Sequence, residues 1–152
     1  MQIDTLAGQP VIPAERITLR PLQKSDRGLL ELYAGDIRVA SFTRSIPHPL
    51  PPGATEAFIA RSLAPERSED VWAMDGTASG MGELLGVIGL DRMEGGTRQV
   101  EIGYWVAPAL WNTGLASEAV RALLAANPLG SETVFAAVFQ SNPVSARVLT
   151  NV

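Results

Sequence analysis

The sequence contains no cysteine and a single histidine, His48. The missing thiols exclude a disulfide framework, a cysteine-based zinc site and a thiol nucleophile, and one histidine excludes a histidine-rich metal site. We therefore expect no bound metal, and any catalysis has to come from carboxylates, hydroxyl groups and backbone dipoles.

Positive charge is also scarce: the chain has 12 Lys and Arg residues and 16 Asp and Glu residues, which give a net charge of -4. Without a cluster of Lys or Arg, the chain lacks the electrostatic footprint of a nucleic-acid-binding protein. No apolar run approaches the length of a membrane span, and the N-terminal residues lack a basic segment followed by an apolar one. These features predict a cytoplasmic protein whose partners include neither nucleic acid nor a membrane.

The chain has 152 residues, 46% of them hydrophobic, which suits one domain over residues 1–152. Alternating apolar residues predict a strand in "RITLRPL", and two more strands in "DVWAMDG" and "ELLGVIGLDRM" form a hairpin. The stretches "RQVEIGYWV" and "ETVFAAVF" are further strands, separated by a helix that begins near residue 115. A meander of strands followed by alternating helices and strands predicts an α+β fold.

The stretch "WVAPALWNTGLASEAV", residues 105–120, changes from a strand to a tight turn and then to a helix. The first turn of a helix leaves backbone N–H groups without partners inside the helix, and its dipole favours an anion there. Gly114 and Ala116 leave room for a close approach, which predicts a backbone cradle for pyrophosphate. The same residues are also typical of an ordinary strand-to-helix turn capped by Asn112.

"EIGYWVAPALWNTGLASEAVRALL" resembles the acetyl-coenzyme A (acetyl-CoA) binding core of the GNAT (Gcn5-related) N-acetyltransferases. Their signature is Arg or Gln, two variable residues, Gly, one variable residue, then Gly or Ala before a helix. Trp111 to Ala116 fill this frame, with Trp at the first position. "RITLRPLQKSD", "IPHPL", "GELLGVIGL" and "SNPVSARVL" are similar to the RimJ/RimL branch, which acetylates N-termini of ribosomal proteins. The resemblance implies the GNAT fold, with a mixed, mainly antiparallel sheet and helices on both faces.

The resemblance also implies acetyl-CoA as co-substrate. Backbone N–H groups of residues 112–116 hold its pyrophosphate, and its pantetheine arm pairs with the backbone of residues 104–106. The implied cofactor-binding residues are Trp105, Val106, Trp111, Asn112, Thr113, Gly114, Leu115, Ala116 and Asn142. Asn142 before Pro143 is equally typical of a helix start, because Asn caps helices and Pro suits the first helical position.

Glu101 is the candidate for the base or water-relay residue. Its apolar neighbours in "VEIGYWV" predict desolvation, which raises the pKa of a carboxyl group. An ordinary surface carboxylate at a wet strand edge is the alternative. By resemblance, Ser145 lies near the thioester sulfur as a proton or hydrogen-bond donor to the thiolate, with Tyr104 as the other candidate.

These assignments predict acetyl transfer from acetyl-CoA to a primary amine by direct attack in a ternary complex. A protein or peptide N-terminus suits a single carboxylate, because the pKa of an α-amino group is about 8 and that of lysine about 10.4. A non-catalytic CoA-binding or subunit-pairing module and an acetyltransferase for small-molecule amines, antibiotics included, remain alternatives. Phe42, His48 and Trp72 are candidates for lining the acceptor groove, although His48 also fits as a packed loop residue.

The family continues beyond "SNPVSARVL" through two further strands, and the resemblance implies that they are missing here. We expect a helix to begin at Asn142 and the chain to end inside that helix or just after it. The strand "ETVFAAVF" would then have an unpaired apolar edge, which favours dimerisation, strand exchange or aggregation, and we expect a homodimer.

Overall fold

A computed structural model describes residues 9–36, 51–93, 96–136 and 148–150. Within these residues seven strands form one sheet in sequence order. The strands are β1 (Ile12–Pro13), β2 (Thr18–Pro21), β3 (Glu69–Asp75), β4 (Gly86–Met93), β5 (Gly96–Val106), β6 (Thr133–Ala136) and β7 (Val148–Thr150). The α-helices are α1 (Arg27–Ala34), α2 (Ala54–Leu63) and α3 (Leu115–Ala126).

Neighbouring strands run antiparallel throughout this sheet, except that β5 and β6 are parallel. A parallel pair needs a crossover connection, and α3 supplies it between β5 and β6. The mixed, mainly antiparallel sheet predicted above is therefore confirmed. No helix in the described part of the chain is long and apolar enough to cross a membrane.

One face of the sheet packs against α3. Alternate residues of the strands, among them Trp72 and Ile102, are buried there together with Leu115, Ala119 and Leu123 of α3. The alternation follows from the two-residue period of a strand, and the spacing on α3 from the helical repeat. This core fixes the start of α3 against β5, where the acetyl-CoA site is predicted.

The opposite face packs against α1 and α2. Val71, Ala73 and Val87 are buried there with Leu30 of α1 and Ile59 of α2. Helices therefore cover both faces of the sheet, as predicted. Strands β3 and β4 are buried on both sides, which explains why their sequences read as nearly continuous apolar runs.

Arg20 is a buried charge that joins β2 to α1 and β3. Its guanidinium donates hydrogen bonds to Asp26 at 2.9 Å and to Asp75 at 2.8 Å, while only 2% of its surface is exposed. It also donates to the carbonyl oxygens of Pro21 and Glu83. Burial lowers the pKa of Arg20, but the hydrogen bonds from its guanidinium to the two carboxylates outweigh burial and leave it raised. The group stays charged because every side of it is paired.

The C-terminal strand corrects one expectation. β7 pairs antiparallel with β6, with Thr150 opposite Thr133 and Val148 opposite Phe135. The edge of β6 that we expected to be unpaired is therefore paired, because the returning chain satisfies its backbone groups. Residues 148–150 are extended, so the chain does not end inside the expected helix. Its start at Asn142 lies outside the described residues, and the homodimer stays a prediction without the open-edge argument.

Candidate active site

The end of β5 is where the sheet changes its pairing. On one side β5 pairs with β4 as far as Val106, opposite Gly86. On the other side, within the described residues, it pairs with β6 only from Gln99 to Ile102. The backbone of residues 104–106 lies beyond that last pair, where the pantetheine arm was predicted. Because β6 is described only to Ala136, the free edge itself stays a prediction.

A short 3-10 helix, Pro108–Leu110, leads from β5 into the turn before α3. The indole N–H of Trp111 donates a hydrogen bond to the carbonyl oxygen of Val106 at 2.8 Å. The hydroxyl of Thr113 donates to the carbonyl oxygen of Leu110 at 2.5 Å. The residue that departs from the family signature, Trp111, thus ties the turn back to the end of β5.

Residues 112–116, here called the cradle turn, are brought together at the start of α3. Asn112 and Gly114 have left-handed backbones, with φ of 66° and 82°. Glycine takes this conformation without strain, and Asn does so more readily than most residues. Leu115 is buried in the core, whereas Asn112 and Thr113 are exposed. The first N–H groups of α3 therefore lie at an exposed end with small residues around them, as an anion site requires.

Arg16 and Glu118 lie beside the cradle turn and were not singled out in the sequence. The Arg16 side chain donates from Nη1 to the carbonyl oxygen of Thr113 at 3.1 Å and from Nε to Glu118 Oε1 at 2.8 Å. Glu118 also accepts the backbone N–H of Arg16 at 2.6 Å and that of Ile17 at 3.3 Å. The sequence does contain an indication of Glu118. It follows Leu115 by three residues, so this charged residue falls on the apolar stripe of α3.

The carboxylate of Glu118 is charged although only 4% of the residue is exposed. Burial raises the pKa of Glu118, but the hydrogen bonds it accepts from the backbone and side chain of Arg16 outweigh burial and lower it. Glu118 therefore carries a full negative charge beside a predicted anion site. Its partner Arg16 balances that charge.

Three carboxylates lie side by side across the sheet: Glu69 on β3 faces Asp91 on β4, which faces Glu101 on β5. We call these residues the carboxylate row. They lie on the face covered by α1 and α2, since alternation places Glu69 with Val71. With strands about 4.8 Å apart, the row extends over roughly 10 Å. Glu101 is half-buried on a strand with neighbours on both sides, so it does not lie at a strand edge.

Glu69 is the member of the row that titrates near neutrality. Burial raises the pKa of Glu69 to about 7, with further contributions from Asp91, Glu101 and Asp70 and an opposing one from Arg61. A carboxylate with such a pKa suits proton transfer at neutral pH. The sequence did not reveal this residue, because its position beside Asp91 depends on the register of two strands.

Two glycines lie next to the carboxylate row on the same face. Gly89 and Gly103 are direct neighbours on β4 and β5. A Cβ at residue 103 would meet no described atom within 4 Å, so there is open space over Gly103. Glu101 and Trp105 flank this space along β5. The ring of Trp105 packs edge-on against that of Tyr33, with the ring centroids 6.3 Å apart. Among the described residues this leaves a gap beside Gly103, between a carboxylate and an aromatic ring, which we call the depression.

The other predicted site residues are distributed differently. Tyr104 points to the opposite face of β5 and packs against the core below α3. Trp72 was expected to line the acceptor groove, and this is wrong: it is fully buried, and its indole N–H donates to the carbonyl oxygen of Pro10. Asn142, Ser145, Phe42 and His48 lie outside the described residues. Among the described side chains, no group of three His, Cys, Asp or Glu residues could hold a metal ion.

Several solved structures of known proteins have a fold similar to that of this chain. The fold is similar to that of a GNAT-family acetyltransferase from Bacillus anthracis (TM-score 0.72, 22% identity, 90% of this chain and 78% of that one). It is also similar to RimJ from Mycobacterium smegmatis in complex with CoA-disulfide (TM-score 0.69, 17% identity, 88% and 69%). A third similar structure is spermidine N-acetyltransferase from Vibrio cholerae in complex with CoA and spermine (TM-score 0.69, 17% identity, 85% and 75%).

Among curated proteins, the uncharacterized N-acetyltransferase YoaA of Bacillus subtilis is 36% identical over 69 residues. This alignment spans 44% of the present chain and 39% of YoaA. The family model of the acetyltransferase (GNAT) domain matches residues 16–152, which include the cradle turn and the carboxylate row. The chain therefore belongs to the GNAT acetyltransferase family.

Proposed function

We propose that this chain transfers an acetyl group from acetyl-CoA to a primary amine, the N-terminal α-amino group of a protein or peptide. The observation that carries the proposal is the position of two features on β5. The exposed cradle turn follows its end, and Glu101 with the depression over Gly103 lies a few residues before that end. A cofactor lying along the end of β5 would bring its thioester beside a carboxylate.

The cofactor assignment starts at the cradle turn. N–H groups of residues 112–116 hold the pyrophosphate, since the start of a helix binds anions through its unpaired donors and its dipole. The backbone of Trp105 and Val106 pairs with the pantetheine arm. Trp111 contributes by fixing the turn to the Val106 carbonyl oxygen. Asn142, as a pantetheine contact, completes this proposed set.

The proposed reaction uses both faces of β5. The amine nitrogen attacks the thioester carbonyl carbon, the carbon–sulfur bond breaks, and the amine loses a proton to Glu101 directly or through water. The departing thiolate takes a proton from Ser145 or Tyr104. Alternation places Glu101 and Tyr104 on opposite faces of β5. The group that accepts the amine proton and the group that protonates the thiolate are therefore separate.

The acceptor side contains the carboxylate row and the depression over Gly103. A protonated α-amine is attracted to these carboxylates, and its pKa of about 8 makes the neutral form accessible at little cost. RimJ of M. smegmatis and RimL, described as a ribosomal L7/L12 α-N-protein acetyltransferase, are among the similar structures. They support an N-terminal acceptor and the RimJ/RimL branch.

A polyamine is the second candidate acceptor. Three carboxylates in one row match the several positive charges of a polyamine better than the one charge of an α-amine. The spermidine N-acetyltransferase among the similar structures has this class of substrate in its name. The two candidate acceptors would use the carboxylate row differently. A polyamine would be held by the row through several of its amines at once, whereas a peptide N-terminus offers one.

The deciding experiment measures release of free CoA with a thiol reagent, for which a chain without cysteine gives no background. The acceptors are a lysine-free peptide with a free α-amine, the same peptide with a blocked N-terminus, and spermidine. We expect turnover with the free peptide, none with the blocked peptide, and acetyl on the α-amine by mass spectrometry. Turnover with spermidine alone would select the polyamine.

The Glu101→Gln variant provides the mechanistic control. Loss of a general base typically costs about 100-fold in rate, so kcat should fall by about that factor while CoA binding persists. Binding of CoA without turnover on any amine would instead support the non-catalytic module.

A further inference from the structure

Arg16 precedes β2 in the sequence but lies against the start of α3, about 100 residues later. Its Nη1 donates to the Thr113 carbonyl oxygen at 3.1 Å, and its Nη2 lies 3.6 Å from the position that a Cβ of residue 114 would occupy. The side chain is 41% exposed, while its partner Glu118 is buried. The guanidinium therefore lies at the surface beside the cradle turn, where the buried carboxylate of Glu118 holds it in place.

The bond to Thr113 determines how the cradle turn presents its backbone. A carbonyl oxygen directed toward a pyrophosphate would repel it, whereas the N–H groups that follow attract it. Because the guanidinium engages the Thr113 carbonyl oxygen, that oxygen is held toward Arg16. Thr113 is thereby fixed by its backbone to Arg16 and by its side chain to Leu110.

Charge balance gives Arg16 a second effect. Glu118 lies one turn into α3, where its negative charge opposes the binding of an anion at the helix start. Arg16 neutralises that charge through a direct ion pair at 2.8 Å. Without the guanidinium, the carboxylate would still be held by the backbone N–H groups of Arg16 and Ile17, but its charge would be unbalanced.

We propose that Arg16 is a positioning residue for acetyl-CoA, which orients the cradle turn and cancels the charge of Glu118 beside the pyrophosphate. This inference rests on the proposed binding of acetyl-CoA at residues 112–116. Arg16 acts through the turn and not on the reacting atoms. Its loss should therefore weaken recognition of the pyrophosphate half of the cofactor and leave the chemistry at the thioester unchanged.

Arg16→Met is a suitable variant because it removes only the side-chain bonds. The backbone N–H groups that hold Glu118 remain, so α3 keeps its anchor to the chain before β2. Kinetics are measured with acetyl-CoA and with acetyl-pantetheine, which has the same thioester and arm but no pyrophosphate. We expect KM for acetyl-CoA to rise about tenfold, as for a charge at a helix terminus, with kcat within about twofold. With acetyl-pantetheine, kcat/KM should not change.

Three controls make the result specific. Arg121→Met removes an exposed arginine of α3 and should change nothing. Arg16→Lys keeps the charge and should retain part of the affinity. The double variant Arg16→Met/Glu118→Gln removes the unbalanced charge and should bind acetyl-CoA more tightly than Arg16→Met alone. A double variant that binds no better would overturn the electrostatic role.

The proposal would be overturned if Arg16→Met lowered kcat/KM equally for both thioesters, since that result shows only a structural role. Unchanged kinetics with both would overturn it as well. Calorimetric titration with CoA separates this failure from failure of the proposed function. If the wild-type chain binds no CoA, the cofactor site is wrong; if wild type and variant bind CoA equally, only the role of Arg16 is wrong.

Discussion

A carboxylate oxygen of Glu69 lies 2.7 Å from the point that a Cβ of residue 89 would occupy. Gly89 thus provides the room in which the Glu69 side chain folds over β4. Any larger residue at position 89 would have to displace the carboxylate, and the backbone oxygen of Asp70 at 3.2 Å limits the space further. The glycine therefore helps to form the carboxylate row.

Glu69 should make stability depend on pH in the direction opposite to an ordinary ion-paired acid. Its pKa is about 7 in the folded protein and close to the usual 4.5 when unfolded. Between these values the folded state binds more protons, so stability falls as pH rises through this window and stays reduced above pH 7. Glu69→Gln should remove the loss, which amounts to roughly 3 kcal/mol at pH 8 relative to pH 4.

Urea denaturation at several pH values measures this difference. The exposed Glu56→Gln serves as control, and its stability curve should run parallel to that of the wild type. If the Glu69→Gln curve is also parallel to the wild-type curve, the carboxyl group of Glu69 does not titrate in this window.

Gly103→Val should fill the depression between Glu101 and Trp105. Because no described atom lies within 4 Å of the position that a Cβ of residue 103 would occupy, the strand can accept the side chain, and we expect little change in stability. The acceptor KM should rise about tenfold or more, because the added side chain removes several contacts between the acceptor and the depression. The affinity for acetyl-CoA should stay the same. Gly96→Val, at the exposed start of the same strand, is the matched control. An acceptor KM that rises equally in both variants would argue against the depression.

Arg20→Met should destabilise the protein by about 3–5 kcal/mol, because it leaves the carboxylate of the buried Asp26 without its charged partner. Arg27→Met provides the contrast. Its ion pair with Glu56 is more than half exposed, so its loss should change stability by at most about 1 kcal/mol. Chemical denaturation of both variants tests this, and equal effects would show that burial of the Arg20 network does not matter.

Much of the fold followed from periodicity. The hairpin of β3 and β4, the long β5 and the start of α3 lie where the alternating and helical patterns predicted them. The cradle turn was predictable because Gly114 and its neighbours are adjacent in sequence. Their local conformations depend on few distant contacts.

The features that were missed depend on contacts between distant residues. Arg16 and Glu118 are 102 positions apart, and only the packing of α3 against the sheet brings them together. Glu69 joins Glu101 through the registers of two strand pairs, which sequence alone does not fix. Trp72 was misplaced because β3 is apolar and buried on both faces, so alternation could not indicate which of its residues face the acceptor side.

Calorimetric titration with acetyl-CoA, comparing Gly114→Glu with Gly130→Glu, tests the central claim most directly. Both glycines have left-handed backbones, with φ of 82° and 64°, so both substitutions impose similar strain. Gly130 lies beyond the opposite end of α3. We predict that the wild-type chain and Gly130→Glu bind acetyl-CoA, whereas Gly114→Glu does not, because its side chain places bulk and negative charge in the cradle. Equal binding by the two variants would contradict the assignment of residues 112–116 as the pyrophosphate site.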